Sequence, residues 1–199
     1  ISNDLTLNSD SSMVVEGSLS LSGSATFNRN LANGSQWYLM SSPVAGETYD
    51  AAWATANSIP TSSLDTDNIG ISTYDNSSAD TDDDGAGSDT ATEHWSYLQT
   101  DDSNSGNFNV GQGYGIIRSS SDDISFTGTG IYTATQTIPL TLGVNNYNLV
   151  GNPFTASLNL GDFFADNGVG VISGAQTWFW NSSTSSYDNK LSGDDGNYE

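Results

Sequence analysis

The sequence predicts a mainly β protein: an antiparallel β-sandwich of jelly-roll type with one or two short helices. Three observations carry that expectation. Apolar residues come in short alternating runs of strand length, each bounded by Gly, Asn, Asp or Ser. Of 24 acidic residues only four are glutamate, and aspartate belongs to turns and caps where glutamate belongs to helices. Helix-like composition is confined to two brief stretches. With 199 residues and 35% hydrophobic content, the chain is long enough to bury the core of one sizeable domain or two small ones.

The elements follow in order. Between Leu5 and Phe27, Leu5, Leu7, Met13-Val14-Val15, Leu19 and Leu21 are separated by Ser, Asn and Gly, with a turn signal at Asn8-Ser9-Asp10. Such spacing suits two rungs of a parallel β-solenoid and equally a β-meander. Residues 1–30 are therefore set apart as a strand segment, one that suits the end of an upstream repetitive stalk, and 31–199 as the sandwich module. Trp37-Tyr38-Leu39-Met40 reads as a buried strand. The Ala-rich stretch from Glu47 to Ile59 reads as a helix stopped before Pro60. Residues 61–92 offer few apolar side chains besides Ile69, Ile71 and Tyr74 and read as an ordered or ion-tethered loop. Strands are expected again at Trp95 to Leu98, Tyr114 to Arg118, Ile124 to Phe126, Thr135 to Leu142 and Tyr147 to Val150. Asn159 caps a second short helix through Phe164, and Gln176 to Trp180 begins a hairpin answered by Tyr187.

The formal charge of −21, with only Arg29, Arg118 and Lys190 as basic residues, excludes nucleic acid and anionic membrane surfaces as partners. No run approaches the length of a membrane-spanning helix, so membrane insertion is not expected. There is no cysteine, so disulfides and thiol chemistry are absent. The charge excess calls for relief by bound divalent cations or a salty exterior.

The densest acidic stretch, Asp80-Thr81-Asp82-Asp83-Asp84-Gly85, alternates carboxylates and places glycine at the sixth position, as a calcium loop requires. Ala91 stands where an EF-hand has its bidentate glutamate, so Asp89 or Glu93 would close the shell. The expected calcium ligands are Asp80, Asp82, Asp84, Asp89 and Glu93, with Asp65 and Asp67 in reserve; the competing reading is a solvated acidic loop. His94, the sole histidine, sits among no triad or metal spacing and reads as a strand-edge residue. Carboxylate pairs are too numerous for any one to be singled out as glycosidase machinery. No enzyme activity is expected.

Trp178, Trp180 and Tyr187 read as one hairpin. The two tryptophans share a face and Phe179 takes the other. If Phe179 points inward, the tryptophans form a platform for stacking on sugar rings; if the tryptophans point inward, Phe179 lies under a loop and the site vanishes.

Five segments in this order carry a resemblance: Asn3-Asp4-Leu5-Thr6-Leu7-Asn8-Ser9, Trp37 to Val44, Gly111-Gln112-Gly113-Tyr114-Gly115-Ile116, Phe126-Thr127-Gly128-Thr129, and Asn148-Leu149-Val150-Gly151-Asn152-Pro153-Phe154. Together they resemble the β-rich region near the C-terminal end of large secreted and surface proteins of Bacteroidota, just ahead of a type IX secretion sorting domain. The resemblance spans most of the chain and implies a secreted or cell-surface location alongside other domains of a larger protein. It transfers no catalytic residue, and the acidic stretch is not part of the shared pattern. The expected function is a non-catalytic module with an adhesive or structural role and a calcium-stabilised loop. The alternatives are a carbohydrate-binding module for an extracellular polysaccharide or surface glycan, and part of a polysaccharide-degrading enzyme.

Overall fold

A computed structural model describes residues 3–76, 94–143, 146–171, 176–191 and 197–198. In chain order the described elements are β1 (Leu5–Leu7), β2 (Ala25–Asn30), β3 (Trp37–Met40), β4 (Val44–Ala45), β5 (Thr48–Tyr49), α1 (Ala51–Ala56), β6 (Asn68–Tyr74) and β7 (Trp95–Gln99). They continue with β8 (Gly106–Asn107), β9 (Tyr114–Ile117), β10 (Asp123–Gly128), β11 (Gly130–Ile131), β12 (Leu158–Asn159), α2 (Leu160–Val171), β13 (Gln176–Asn181), β14 (Ser186–Leu191) and β15 (Asn197–Tyr198). The protein is mainly β, and its principal layers are a sheet ordered β1-β2-β10 and a sheet ordered β3-β9-β6-β7.

The core lies between these layers. Ala25, Ile124 and Phe126 from the first sheet join Ile71, Leu98, Tyr114 and Ile116 from the second in one buried cluster. Alternation along each strand explains the choice, since inward residues recur every second position. Trp53 from α1 and Phe108 fill the space beside them, with ring centroids 4.8 Å apart, and Phe108 also meets Phe126 at 5.3 Å and Tyr114 at 4.8 Å. Arg118 is only 2% exposed, yet its charge is met: Nε donates to the Asn57 carbonyl, another guanidinium nitrogen to the Asp122 carbonyl, and the group pairs with the Asp122 carboxylate. It thereby ties the end of α1 to the β9–β10 turn.

The helix expected over Glu47 to Ile59 is shorter. Asp50 caps it by accepting from the Trp53 amide at 2.7 Å, while residues 48 and 49 are drawn into strand pairing, β5 against β8. The second helix starts where expected, with Asn159 Oδ1 accepting from the Asp162 amide at 3.0 Å, and Leu160 and Phe164 are buried in a satellite cluster with Phe163 and Phe179.

Two expectations are corrected. The stretch from 61 is not all loop, because Asn68–Tyr74 is a central strand of the second sheet. Its smallest residue has a packing cause: a Cβ on Gly70 would lie 2.4 Å from Ile117 Cγ2, so position 70 has no room for a side chain. The other correction concerns Thr135 to Leu142 and Tyr147 to Val150, which are not strands; only Val150 makes a bridge, to Gln112. Pro139 lacks a ladder donor, Leu142 is 91% exposed, and asparagine side chains take the place of strand partners.

At the N-terminus the geometry excludes a meander between the first two strands. β1 pairs with β2 in parallel and in register, Leu5 with Ala25, Thr6 with Thr26 and Leu7 with Phe27, so the chain returns to the same position after 20 residues. Side chains follow the same offset. Asn28 Nδ2 donates to Asn8 Oδ1 at 3.0 Å, and Asp4 Oδ1 accepts from the Ser24 amide at 2.7 Å. Thr6 lies beside Thr26 and Asn8 beside Asn28, a same-on-same pairing that β-solenoid rungs also use. A meander is antiparallel and gives neither the register nor the ladder. β2 is then shared, pairing on its other edge with β10 in antiparallel fashion.

Candidate functional site: an aromatic-rimmed cleft

The site is built on the face of the second sheet that points away from the core. Trp37, Tyr74, Trp95 and Tyr97 alternate with the buried set along β3, β6 and β7 and so share this outer face. Between them lie small residues, Ser72 paired with Gly115 in the middle of the sheet. A Cβ on Gly115 would meet Ser72 Oγ at 2.8 Å and the Trp95 ring at 3.3 Å, so the missing side chain gives the rings room to lie over the strands. Trp37 and Tyr97 meet edge to face at 6.1 Å across this gap, and Tyr74 and Trp95 at 5.1 Å.

The β13–β14 hairpin covers part of this face. Trp180 stands opposite Tyr187 in the ladder, their rings 5.1 Å apart, and the Trp180 indole donates to the Trp37 carbonyl at 2.7 Å. Partial burial pushes the Tyr187 phenol up, with the nearby Tyr74 phenol adding a smaller push. Phe179, on the opposite face, packs against α2. The two tryptophans therefore part company. Trp180 is anchored on the sheet, whereas Trp178 remains 45% exposed and meets Tyr147, itself 55% exposed, edge to face at 5.6 Å.

Tyr147 opens onto a cleft of about 410 Å³ lined by residues 74–76, 109–112, 138, 139, 141 and 147–150. Its walls are held by amides and by close backbone packing. Asn76 Nδ2 and Asn148 Nδ2 both donate to the Thr141 carbonyl, at 2.9 and 3.0 Å, and Asn148 Oδ1 accepts from the Thr141 amide at 3.0 Å. Gly111, at φ +68°, leaves no room for a Cβ beside Ile138, and its carbonyl accepts from the Gly151 amide at 3.0 Å. Beneath the floor the buried Tyr114 hydroxyl accepts from the Asn109 amide at 2.9 Å and donates to the Asn107 carbonyl or Gln112 Oε1, each 3.2 Å away. Burial raises the Tyr114 phenol far above its ordinary value, the Asn109 amide opposing and Tyr49 adding to the rise, so it stays a neutral anchor for the 107–112 loop.

The expected calcium ligands Asp80, Asp82, Asp84, Asp89 and Glu93 lie outside the described residues. Among the described residues no group of three or more His, Asp or Glu is placed to hold a metal ion. Asp65, held in reserve, instead accepts from Asn68 Nδ2 at 2.9 Å and from the Asp67 amide at 3.2 Å. His94 Nδ1 lies 2.8 Å from the Asp75 carbonyl and its ring 5.6 Å from that of Tyr74, at the start of β7. Compared with known proteins, the chain matches no protein family, no curated protein and no solved structure. Function is therefore read from geometry.

Sequence reasoning missed Tyr147, Asn109 and Gln112. A signal for the first was present: an aromatic flanked by amides in Asn146-Tyr147-Asn148 has no apolar neighbour on either side and belongs on a surface loop, not in a strand. For Asn109 and Gln112 the signal was weaker. The glycines that frame them, Gly111 and Gly113, mark only a close backbone approach.

Proposed function

We propose that the chain is a non-catalytic module of a secreted or cell-surface bacterial protein, acting as a structural spacer and adhesive element at the end of a parallel β-coil. The observation that carries this reading is the in-register stacking of β1 on β2 at a 20-residue offset, with Asn8 bonded to Asn28. A rung of that kind passes its pairing pattern to a neighbour, and β2 adapts it to an antiparallel sandwich through β10. Repeat architectures gain stability rung by rung through nearest-neighbour contacts. The resemblance of the five segments to regions preceding a type IX secretion sorting domain supports the surface location, and the acidic composition suits a salty exterior.

The test is to duplicate residues 5–24 ahead of β1. A spacer accepts the added rung: melting stays a single transition, Tm does not fall, and the inserted residues become protected from hydrogen exchange. An insert that remains unprotected and protease-sensitive contradicts the reading. Calcium at Asp80 to Glu93 belongs to the same proposal on ligand chemistry alone. Chelation with EDTA then lowers Tm, and an unchanged melt removes calcium from the account.

A further inference from the structure

The cleft beside Tyr147 has chemistry that the spacer role does not use. Its rim is aromatic: Tyr147 lines it and meets Trp178 at an interplanar angle of 87°, with exposed ring surface on both, 55% and 45%. Such faces are flat and apolar, matched to the C–H face of a pyranose ring. Inside, the amides are already oriented. Gln112 Oε1 lies 2.8 Å from Asn109 Nδ2 and 3.2 Å from the Tyr114 hydroxyl, which uses one polar atom of each amide within the wall. The two atoms not spent in these bonds, Gln112 Nε2 as donor and Asn109 Oδ1 as acceptor, form a pair suited to neighbouring sugar hydroxyls.

Charge narrows the ligand class further. Among the described residues no Lys or Arg lines the cleft and Asp75 is the one charged lining residue, and the chain as a whole carries −21. An anionic chain would meet repulsion with nothing to pair against. The cleft volume of about 410 Å³ falls in the range of small-ligand sites, and it is open to solvent, so a chain can enter and leave it. We infer that this cleft binds a segment of a neutral polysaccharide, with Tyr147 and Trp178 stacking on sugar rings and Asn109 and Gln112 bonding hydroxyls. This goes beyond the spacer reading and stands independently of it, because its test involves neither β1 nor the rung.

The experiment titrates the whole chain with five neutral hexasaccharides, of the cello-, xylo-, laminari-, manno- and chito- series, and with an acidic alginate hexamer, followed by tryptophan fluorescence and calorimetry. At least one neutral hexamer is expected to bind in the micromolar to millimolar range, tighter than the alginate. Tyr147→Ala and Trp178→Ala each weaken it at least about tenfold, as the loss of a stacking surface does. Gln112→Glu keeps the acceptor and the length, removes the donor, and weakens binding without loss of fold by circular dichroism. Leu64→Ala, at a fully exposed position away from the cleft, leaves binding unchanged. Absence of binding by every neutral hexamer, full affinity in both aromatic variants, or preference for the alginate overturns the inference.

Discussion

Ile116 and Ile117 are neighbours on β9 and face opposite sides of the same sheet. Ile116 is fully buried among Tyr38, Ile71 and Tyr114, whereas Ile117 lies on the outer face over Gly70, half-buried. The inner face is filled by side chains that interdigitate with a second sheet. Its counterpart is built from Ile117 over Gly70 and rings lying over Ser72 and Gly115, only partly covered by a hairpin. One side therefore carries the stability, while the other can expose aromatic surface next to a cleft without opening the core.

The largest expected effect tests that division directly. Ile116→Ala should cost about 3 kcal/mol and Ile117→Ala about 1 kcal/mol by urea denaturation, because the first leaves a sealed cavity and the second a partly solvated one. Equal losses would mean that the outer face is core as well. Next comes the anchoring of the hairpin. Trp180→Phe removes the indole donor to the Trp37 carbonyl at a cost of about 1 kcal/mol, and should raise hydrogen exchange in β13 and β14 more than in β6.

The smallest effect lies in the pH dependence. Glu47 sits half-buried between β4 and β5, and desolvation raises its carboxyl above the ordinary value despite accepted bonds from the Thr127 and Thr48 amides. Between its unfolded value near 4.5 and its higher folded value, the native state holds more protons than the unfolded one. Its contribution to stability is therefore fully present below that window and is lost as pH rises through the folded value. Glu47→Gln should flatten the fall in Tm as pH rises above 4.5; an unaltered slope would contradict the assignment to Glu47.

The inner face was legible in the sequence because alternation of large apolar residues is what burial against another sheet requires. Tyr114, Ile116, Ile124 and Phe126 all lie on strands where the pattern places them. Asn159 was legible too, since capping is local chemistry. β6 was not, because its alternating Ile69 and Ile71 stand alone in a polar stretch and Gly70 between them is dictated by Ile117, distant in sequence. Trp178 and Trp180 sit on one face, as alternation dictates. Which of them is covered depends on Tyr147 and Trp37, far away along the chain. Parallel stacking was hidden for a related reason: Leu5-Thr6-Leu7-Asn8 and Ala25-Thr26-Phe27-Asn28 repeat only Thr and Asn, too little to mark a period.

The absence of cysteine makes that stacking open to a clean measurement, because any disulfide in the chain must come from the residues introduced. In the Thr6→Cys/Thr26→Cys variant the two positions are cross-strand partners on the same face, within the separation a disulfide spans. Mild oxidation should join them in the folded protein without lowering Tm, while Thr6→Cys/Asn28→Cys, two residues out of register, should stay largely reduced. Efficient crosslinking of the second pair in preference to the first would contradict the parallel 20-residue rung, and with it the spacer function built on it.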